Sequence, residues 1–330
     1  MRMKSLHLLG LMAMAVTALY GQDPVYYSNP KPDCSSLADP TPVKITNSSG
    51  ATLGYSCHVA GTFVWLAAGG DWGTTIRVSA PASGDIDVDY SFYDGNGHSQ
   101  FLDNAINNDP SSIATTDGVN LSLYANQPLE IELPSDQPTA TGSVYAQFYC
   151  PDAATCNDVL PQLIYSALPN YPWSLSVPIA WDSLTWTQWS AVGIDDGVDN
   201  VMSFVVYNAD TVAKNFTVSV YDGDGFFVDS GTIFVPPSPG TGQGGTRAAL
   251  LSDVVGTLPN GICKVLIDGG SVYSAVEVLQ INGSSATTLQ VAYDTSPAAS
   301  AAATKGIHRP AIRRARMVTS PTRVIRPKRR

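Results

Sequence analysis

The strongest constraint on the fold is a phrase that the chain contains twice, "SFYDGNG" at residues 91–97 and "SVYDGDG" at 219–225. Ile76–Gly97 aligns without gaps on Phe204–Gly225, with six identities in 22 positions and the same alternation of apolar and polar residues. A slip by one residue would turn the apolar face of a strand towards water, so a shared alternation indicates a shared position in a sheet. The sequence therefore predicts a duplicated β-domain.

The similarity extends on both sides of the phrase. "WLAAG" at 65–69 is similar to "WSAVG" at 189–193, which suggests that the second copy holds four extra residues before its next strand. "GSVYAQFYC" at 142–150 aligns with "GICKVLIDG" at 261–269. Each copy predicts about seven short strands, and DGNG and DGDG are predicted turns because Gly and Asn tolerate positive φ. The strands expected in the first copy are 62–66, 74–79, 85–93, 120–124, 128–133, 143–149 and 163–167, and one helical turn is expected within 249–255.

Only 14% of the residues are charged, and Gly, Pro and Tyr are plentiful, which favours strands and turns over helices. The expected fold class is all-β, with two tandem antiparallel immunoglobulin-like β-sandwiches and a disordered basic C-terminal tail. The expected division of the chain is a signal peptide at 1–21, an N-terminal segment at 22–60, sandwiches at 61–181 and 182–294, a linker at 295–304 and the tail at 305–330.

Gly61–Tyr293 carries a W-x-A-x-G run, a strand that ends in (F/V)-Y-D-G-x-G, a polar loop and a closing pair of strands. This pattern resembles paired immunoglobulin-like sandwiches in secreted proteins of soil bacteria. The resemblance rests on turns and core faces, so it implies an architecture. It implies no defined activity and carries over no catalytic residue.

The first 21 residues have a basic start and an apolar stretch shorter than the ~20 residues of a membrane span. They predict a secretory signal peptide, so the protein is expected outside the cell or at the cell surface, with the periplasm as the alternative. No other segment is apolar enough to cross a bilayer. In an oxidising compartment the expected disulfides are Cys34–Cys57 and Cys150–Cys156, and Cys263 is expected to be a buried thiol.

Charge divides the exported chain into two parts. Residues 23–304 hold six basic against 28 acidic residues, a net charge of −22, whereas 305–330 hold ten basic residues and no acid. The acidic body is expected to repel nucleic acid, and the tail is a hypothetical anchor to a cell-surface polysaccharide or an anionic envelope polymer. The alternatives are a solvated tail and a clasp on the acidic body. The tail residues proposed as the anchor are Arg313, Arg314, Arg316, Arg326, Lys328, Arg329 and Arg330.

Few patterns in the sequence point to chemistry. His58 and His98 are the only histidines of the body, and no nucleophile elbow, phosphate loop or dinucleotide fingerprint occurs. No cofactor is expected. Two acidic clusters are weak calcium candidates, but the segment after Asp222 has Phe227 where a calcium loop requires Gly, so solvated turns are favoured. The candidate calcium ligands are Asp195, Asp196, Asp199, Asp222 and Asp224.

Four of the six tryptophans lie in "WSLSVPIAWDSLTWTQW", where the two copies meet. They are Trp173, Trp181, Trp186 and Trp189. Exposed rings would stack on sugars, whereas buried rings would fill the seam between the sandwiches. The sequence thus favours a non-enzymatic structural or adhesive protein over a carbohydrate-binding pair of modules, and over an enzyme of unrecognised type.

Overall fold

The computed structural model describes residues 44–46, 52–54, 57–70, 72–106, 113–134, 139–167, 174–177, 179–182, 186–240, 242–282, 285–289 and 291–294. These residues belong to one compact unit of the chain. No helix within these ranges is both long and apolar enough to cross a membrane.

The described residues form an all-β structure with two short helices, which confirms the predicted fold class at that level. The helices are α1 (Ala153–Asp158) and α2 (Leu251–Val254). The strands are β1 (Lys44–Thr46), β2 (Thr52–Gly54), β3 (Cys57–Ala68), β4 (Trp72–Ser79), β5 (Ile86–Asp94), β6 (Leu102–Ile106), β7 (Ala114–Thr116), β8 (Gly118–Leu123), β9 (Pro128–Leu133), β10 (Ala140–Cys150), β11 (Gln162–Ala167), β12 (Ser174–Val177), β13 (Ile179–Trp181), β14 (Gln188–Asp195), β15 (Asn200–Asn208), β16 (Lys214–Asp222), β17 (Phe227–Val235), β18 (Gly245–Leu250), β19 (Gly261–Asp268), β20 (Ser274–Asn282), β21 (Ser285–Leu289) and β22 (Val291–Asp294).

All seven strands expected in the first copy are present as β3, β4, β5, β8, β9, β10 and β11, and the expected helical turn is α2. The strands pair antiparallel in four large sheets, and β1 and β2 form a separate small one. We number the large sheets by their place in the stack. Sheet 1 has the order β12-β11-β4-β9-β6-β7, sheet 2 β13-β3-β10-β5-β8, sheet 3 β18-β15-β20-β21 and sheet 4 β17-β16-β19-β14-β22.

Sheets 2 and 4 have the same strand order and the same register. In sheet 2 the ladder joins Phe92 to Val144 and Val144 to Phe63, and in sheet 4 it joins Val220 to Val265 and Val265 to Ala191. Equivalent positions in the first and third strands of each copy are therefore 128 residues apart.

Two alignments made from the sequence are consequently wrong. Trp65 is not equivalent to Trp189, because Trp189 occupies the ladder position of Gly61. The four extra residues expected in the second copy are therefore absent. Gly142 is likewise equivalent to Cys263 rather than to Gly261, because both pair with the aspartate that begins the turn. Both alignments matched identical letters, whereas the hydrogen-bond ladders set a register that differs from these matches by four residues and by two.

Sheets 1 and 3 also correspond, since β12-β11-β4-β9 follows the order of β21-β20-β15-β18. Sheet 1 contains two further strands, β6 and β7, that follow the first turn. In the second copy the turn joins β16 directly to its partner β17.

The sheets stack in their numbered order around a continuous core. Met202 of sheet 3 lies against Cys263 of sheet 4, with 3.5 Å between the two sulfur atoms. The opposite face of the same strand, β15, carries Tyr207, whose hydroxyl accepts a hydrogen bond from Thr62 of sheet 2 at 3.3 Å. Sheet 3 is therefore covered on both faces, by sheet 4 and by sheet 2.

The loop between β10 and β11 is closed by a disulfide between Cys150 and Cys156, as predicted. Helix α1 begins inside this closure and contains Cys156, and Asp152 caps it by accepting a hydrogen bond from the backbone amide of Thr155 at 2.7 Å. Cys57 is also disulfide-bonded, but its predicted partner Cys34 lies outside the described residues. Cys263 is buried and unpaired, and burial raises the pKa of its thiol to about 11, as expected for an inert core thiol.

Candidate functional site

The outer face of sheet 2 carries a group of polar side chains next to the area that sheet 3 covers. Strand alternation places them there, because every second residue of β5 enters the core and the intervening residues face outwards. We call this group the polar face, and it consists of His58, Asp87, Asp89, Asn120, Ser122, Gln147, Tyr149 and Asp182.

The ladders bring the polar face together in two rows. The first row runs His58–Tyr149–Asp87–Ser122 across four strands, and the second contains Gln147, Asp89 and Asn120. The rings of His58 and Tyr149 are stacked, with their centroids 4.6 Å apart. The Tyr149 hydroxyl donates a hydrogen bond to the Gln147 side chain at 3.2 Å. The rows thus combine an aromatic platform with carboxylates and amides.

Burial shifts the titration of this face towards neutral forms. It raises the pKa of the Asp87 and Asp89 carboxyls, while Ser122 and Asn120 partly offset the effect. It lowers the pKa of His58, against the opposing influence of Gln147 and Asp182. It also raises the pKa of the Tyr149 hydroxyl, as do the two nearby aspartates. Partly desolvated groups of this kind form strong hydrogen bonds with a ligand that covers them.

Asp182 connects the polar face to the seam between sheets 2 and 3. Its backbone amide donates to the carbonyl of Ala60, and its carboxylate accepts a 2.7 Å hydrogen bond from the Tyr145 hydroxyl. The residue is exposed as a whole, and partial desolvation of its carboxyl group raises the pKa of that group. Tyr145 in turn packs on the backbone of Gly242, where any Cβ would lie 2.3 Å from the ring.

The three tryptophans that the structure describes are buried, which is the interpretation that the sequence favoured, and they do not form the alternative sugar-stacking platform. Trp181 and Trp186 are 4% exposed and Trp189 is 1% exposed. The rings of Trp186 and Trp189 meet edge to face at 5.5 Å, and the Trp189 indole donates to the Ser274 hydroxyl at 3.1 Å. These rings fill the core because aromatic side chains bury more apolar area than most others. Trp173 lies outside the described residues.

Three of the aspartates considered as calcium ligands, Asp195, Asp196 and Asp222, accept hydrogen bonds from residues close in the chain. Asp195 is fully buried, and its two carboxylate oxygens accept from the amides of Gly197 and Met202 at 3.0 Å. Asp196 accepts from three successive amides and from the Asn200 side chain, and these hydrogen bonds hold its pKa well below the usual range.

The turn carboxylate of Asp222 accepts from the amides of Asp224 and Phe226 at 3.0 and 2.8 Å. These contacts are typical of turn-stabilising aspartates. Within the described ranges no three or more His, Cys, Asp or Glu side chains are grouped as a metal site. The predicted tail residues, from Arg313 to Arg330, lie outside those ranges.

Comparisons with protein-family models, with curated proteins and with solved structures found no match for this chain. Function is therefore inferred from geometry and chemistry alone.

The sequence contained a signal for the polar face that composition did not reveal. In "DIDVDYS" the aspartates at 85, 87 and 89 alternate with Ile86, Val88 and Tyr90, a pattern that places carboxylates on one side of a strand. Pairing of this strand with Gln147 and Tyr149 depends on a ladder between residues about 60 apart, which the pattern does not specify.

Proposed function

We propose that the protein is an exported, non-enzymatic structural or adhesive protein built from two tandem immunoglobulin-like β-sandwiches, sheets 1 and 2 in the first and sheets 3 and 4 in the second. The observation that carries the proposal is the matching strand order of the two sheet pairs, together with the burial of sheet 2 against sheet 3. A rigid stack of sandwiches gives a protein length and a large exposed area for contacts, which structural and adhesive proteins require.

The likeness to immunoglobulin domains is partial. If the strands of the second sandwich are counted from β14, its second strand pairs with its fifth and its third with its sixth, as in an immunoglobulin sandwich. Its first strand, however, pairs with the sixth, whereas the first immunoglobulin strand joins the sheet of the second. The proposal therefore concerns a sandwich related to that arrangement.

Adhesion is tested with the exported protein on purified cell envelopes and on anionic vesicles. We expect binding at 0.05 M salt that weakens at 0.5 M, because the ten basic residues of 305–330 would act through screened electrostatics. The matched control is the chain that ends at Thr304. Failure of the full chain to bind envelopes at low salt would contradict the adhesive part of the proposal.

A carbohydrate-binding role is the second candidate, and the polar face favours it. Stacked rings beside carboxylates and amides are the groups that contact sugars through ring faces and hydroxyls. A glycan array with the exported protein tests this role. Tyr149→Ala should abolish any signal, whereas Tyr124→Ala, which removes an exposed ring elsewhere, should leave it unchanged. An array without signal would count against this role.

A further inference from the structure

The outer face of sheet 4 carries apolar side chains that face solvent. Four of them are between 40% and 60% exposed, and the fifth, Tyr221, is half-buried. We call this group the sheet 4 patch, and it consists of Val192, Ile194, Tyr221, Phe227 and Ile262.

The ladders show that the patch is continuous. One row crosses four strands from Phe227 through Tyr221 and Lys264 to Val192, and the next row on the same face joins Ile262 to Ile194. The rings of Tyr221 and Phe227 meet edge to face, with centroids 5.9 Å apart. Clusters of this kind on a sheet face commonly mark protein–protein contacts.

The corresponding face of sheet 2 shows what such a surface does in this fold. Tyr93, which is equivalent to Tyr221, is 8% exposed, and Tyr145, which is equivalent to Leu266, is 6% exposed. Sheet 3 covers this part of the face, and the Tyr207 hydroxyl accepts a hydrogen bond from Thr62 there. The face that receives a further sheet in the first pair is thus left open in the second pair.

We propose that a second copy of this chain covers the sheet 4 patch, patch against patch about a two-fold axis. If copies stacked head to tail, the patch of one copy would contact the outer face of sheet 1 of the next copy. That face is polar, with an ion pair between Arg77 and Glu130, and such polar outer faces are typical of the capped end of a stack. An identical apolar patch is the better match.

The charges of the patch fit this geometry. Lys264 is exposed within the central row, and Asp222 and Asp224 lie at the turn on the edge of the patch. A two-fold axis that passes between Lys264 and the turn would bring the lysine of one copy towards the aspartates of the other, so the face can be complementary to itself. This interaction goes beyond the proposed function and does not depend on an adhesive role.

The size of the face sets the expected strength. Four strands about 4.8 Å apart and eight residues long, at about 3.3 Å per residue, span roughly 500 Å² in projection. Stable interfaces bury about 800 Å² per partner, so we expect a dimer with a dissociation constant in the micromolar range.

Sedimentation velocity of the exported full chain between about 1 and 200 µM tests the proposal. We expect a monomer–dimer equilibrium that persists at 0.5 M salt, since apolar burial is not screened. Phe227→Asp and Ile262→Lys should each raise the dissociation constant at least tenfold with unchanged circular dichroism. The matched controls, Leu160→Asp and Val212→Asp, alter side chains elsewhere that are at least as exposed and should leave it unchanged.

Three outcomes would overturn the proposal. A wild-type chain that remains monomeric at 200 µM has no such interface. Dimers that survive both patch substitutions use another face. Dimers that form at 0.05 M salt and dissociate at 0.5 M are held by charge, as a basic tail on an acidic body would hold them.

Discussion

The two turns that share the phrase Y-D-G-x-G have the same backbone and opposite surroundings. In both, the aspartate accepts hydrogen bonds from the amides two and four residues later, and the last glycine has a positive φ, +78° at Gly97 and +85° at Gly225. The first turn is docked on the start of β18, where the carbonyl of Gly95 accepts from the amide of Thr246 at 3.0 Å. The second turn faces solvent. Local sequence thus determines the shape of a turn, and tertiary position determines its role.

The largest effect is expected for alanine at the two equivalent glycines. A Cβ on Gly97 would lie 1.9 Å from the carbonyl oxygen of Gln243, whereas a Cβ on Gly225 meets nothing within 4 Å. Both substitutions carry the strain of a positive φ, about 1 kcal/mol. We expect Gly225→Ala to lower the free energy of unfolding by about that amount and Gly97→Ala by roughly 3 kcal/mol or more. Equal losses in urea titrations would show that the first turn is not docked.

The next effect concerns a buried carboxyl on the face of sheet 3 that packs on sheet 2. Glu277 is 1% exposed, neither oxygen has a hydrogen-bond partner among the described residues, and burial raises its pKa from 4.5 to about 8. Its equivalent on the open face of sheet 1 is Gln162. The native state holds a proton on Glu277 that the unfolded chain releases above pH 4.5. The contribution of this carboxyl to the free energy of unfolding therefore falls as the pH rises from about 4.5 to 8.

Glu277→Gln gives sheet 3 the amide that sheet 1 has at the equivalent position. We expect the variant to be more stable than the wild type at pH 8, by about 2–4 kcal/mol, and nearly equal to it at pH 4. Thermal unfolding of both proteins across this range measures the difference. A difference that does not change with pH would mean that Glu277 is ionised in the folded protein, contrary to its burial.

A smaller effect is expected for the arginine that holds the first turn. Arg247 donates to the carbonyl of Gly95 at 2.6 Å and to the side chain of Asn96 at 2.9 Å. Arg247→Ala should lower the free energy of unfolding by roughly 1–2 kcal/mol, as for hydrogen bonds with a charged donor. Lys264→Ala, on the open face of sheet 4, should change it by less than about 0.5 kcal/mol. Equal losses of stability for the two variants would show that Arg247 does not hold the first turn in place.

The smallest difference is expected between the two turn aspartates. Asp94→Ala and Asp222→Ala each remove an acceptor from two backbone amides, and each should cost about 1 kcal/mol. We expect the two losses to be nearly equal because both carboxylates bond only within their own turns and neither holds the first turn on β18. A much larger loss for Asp94 would assign part of the docking energy to this side chain.

Sequence patterns predicted much of the fold but little of the candidate site. Alternation located the seven strands of the first copy and the shared register of β5 and β16, because a strand face must be either buried or open. The similarity of "WLAAG" and "WSAVG" misled, because the two tryptophans share a letter but lie four ladder positions apart. The polar face escaped notice because His58 and Asp87 are neighbours only through Tyr149 of an intervening strand.

By itself the sequence determined the class of the fold, the duplicated register, the shape of both turns and the Cys150–Cys156 closure. These features depend on alternation, on positive φ at glycine and on residues close in the chain. Only the tertiary structure decided that the outer face of sheet 2 is covered while the equivalent face of sheet 4 is open. It also decided that the described tryptophans fill the core and that Glu277 is buried, whereas the equivalent Gln162 is on an open face. Burial depends on which sheet packs against which, and that choice is made by contacts between residues far apart in sequence.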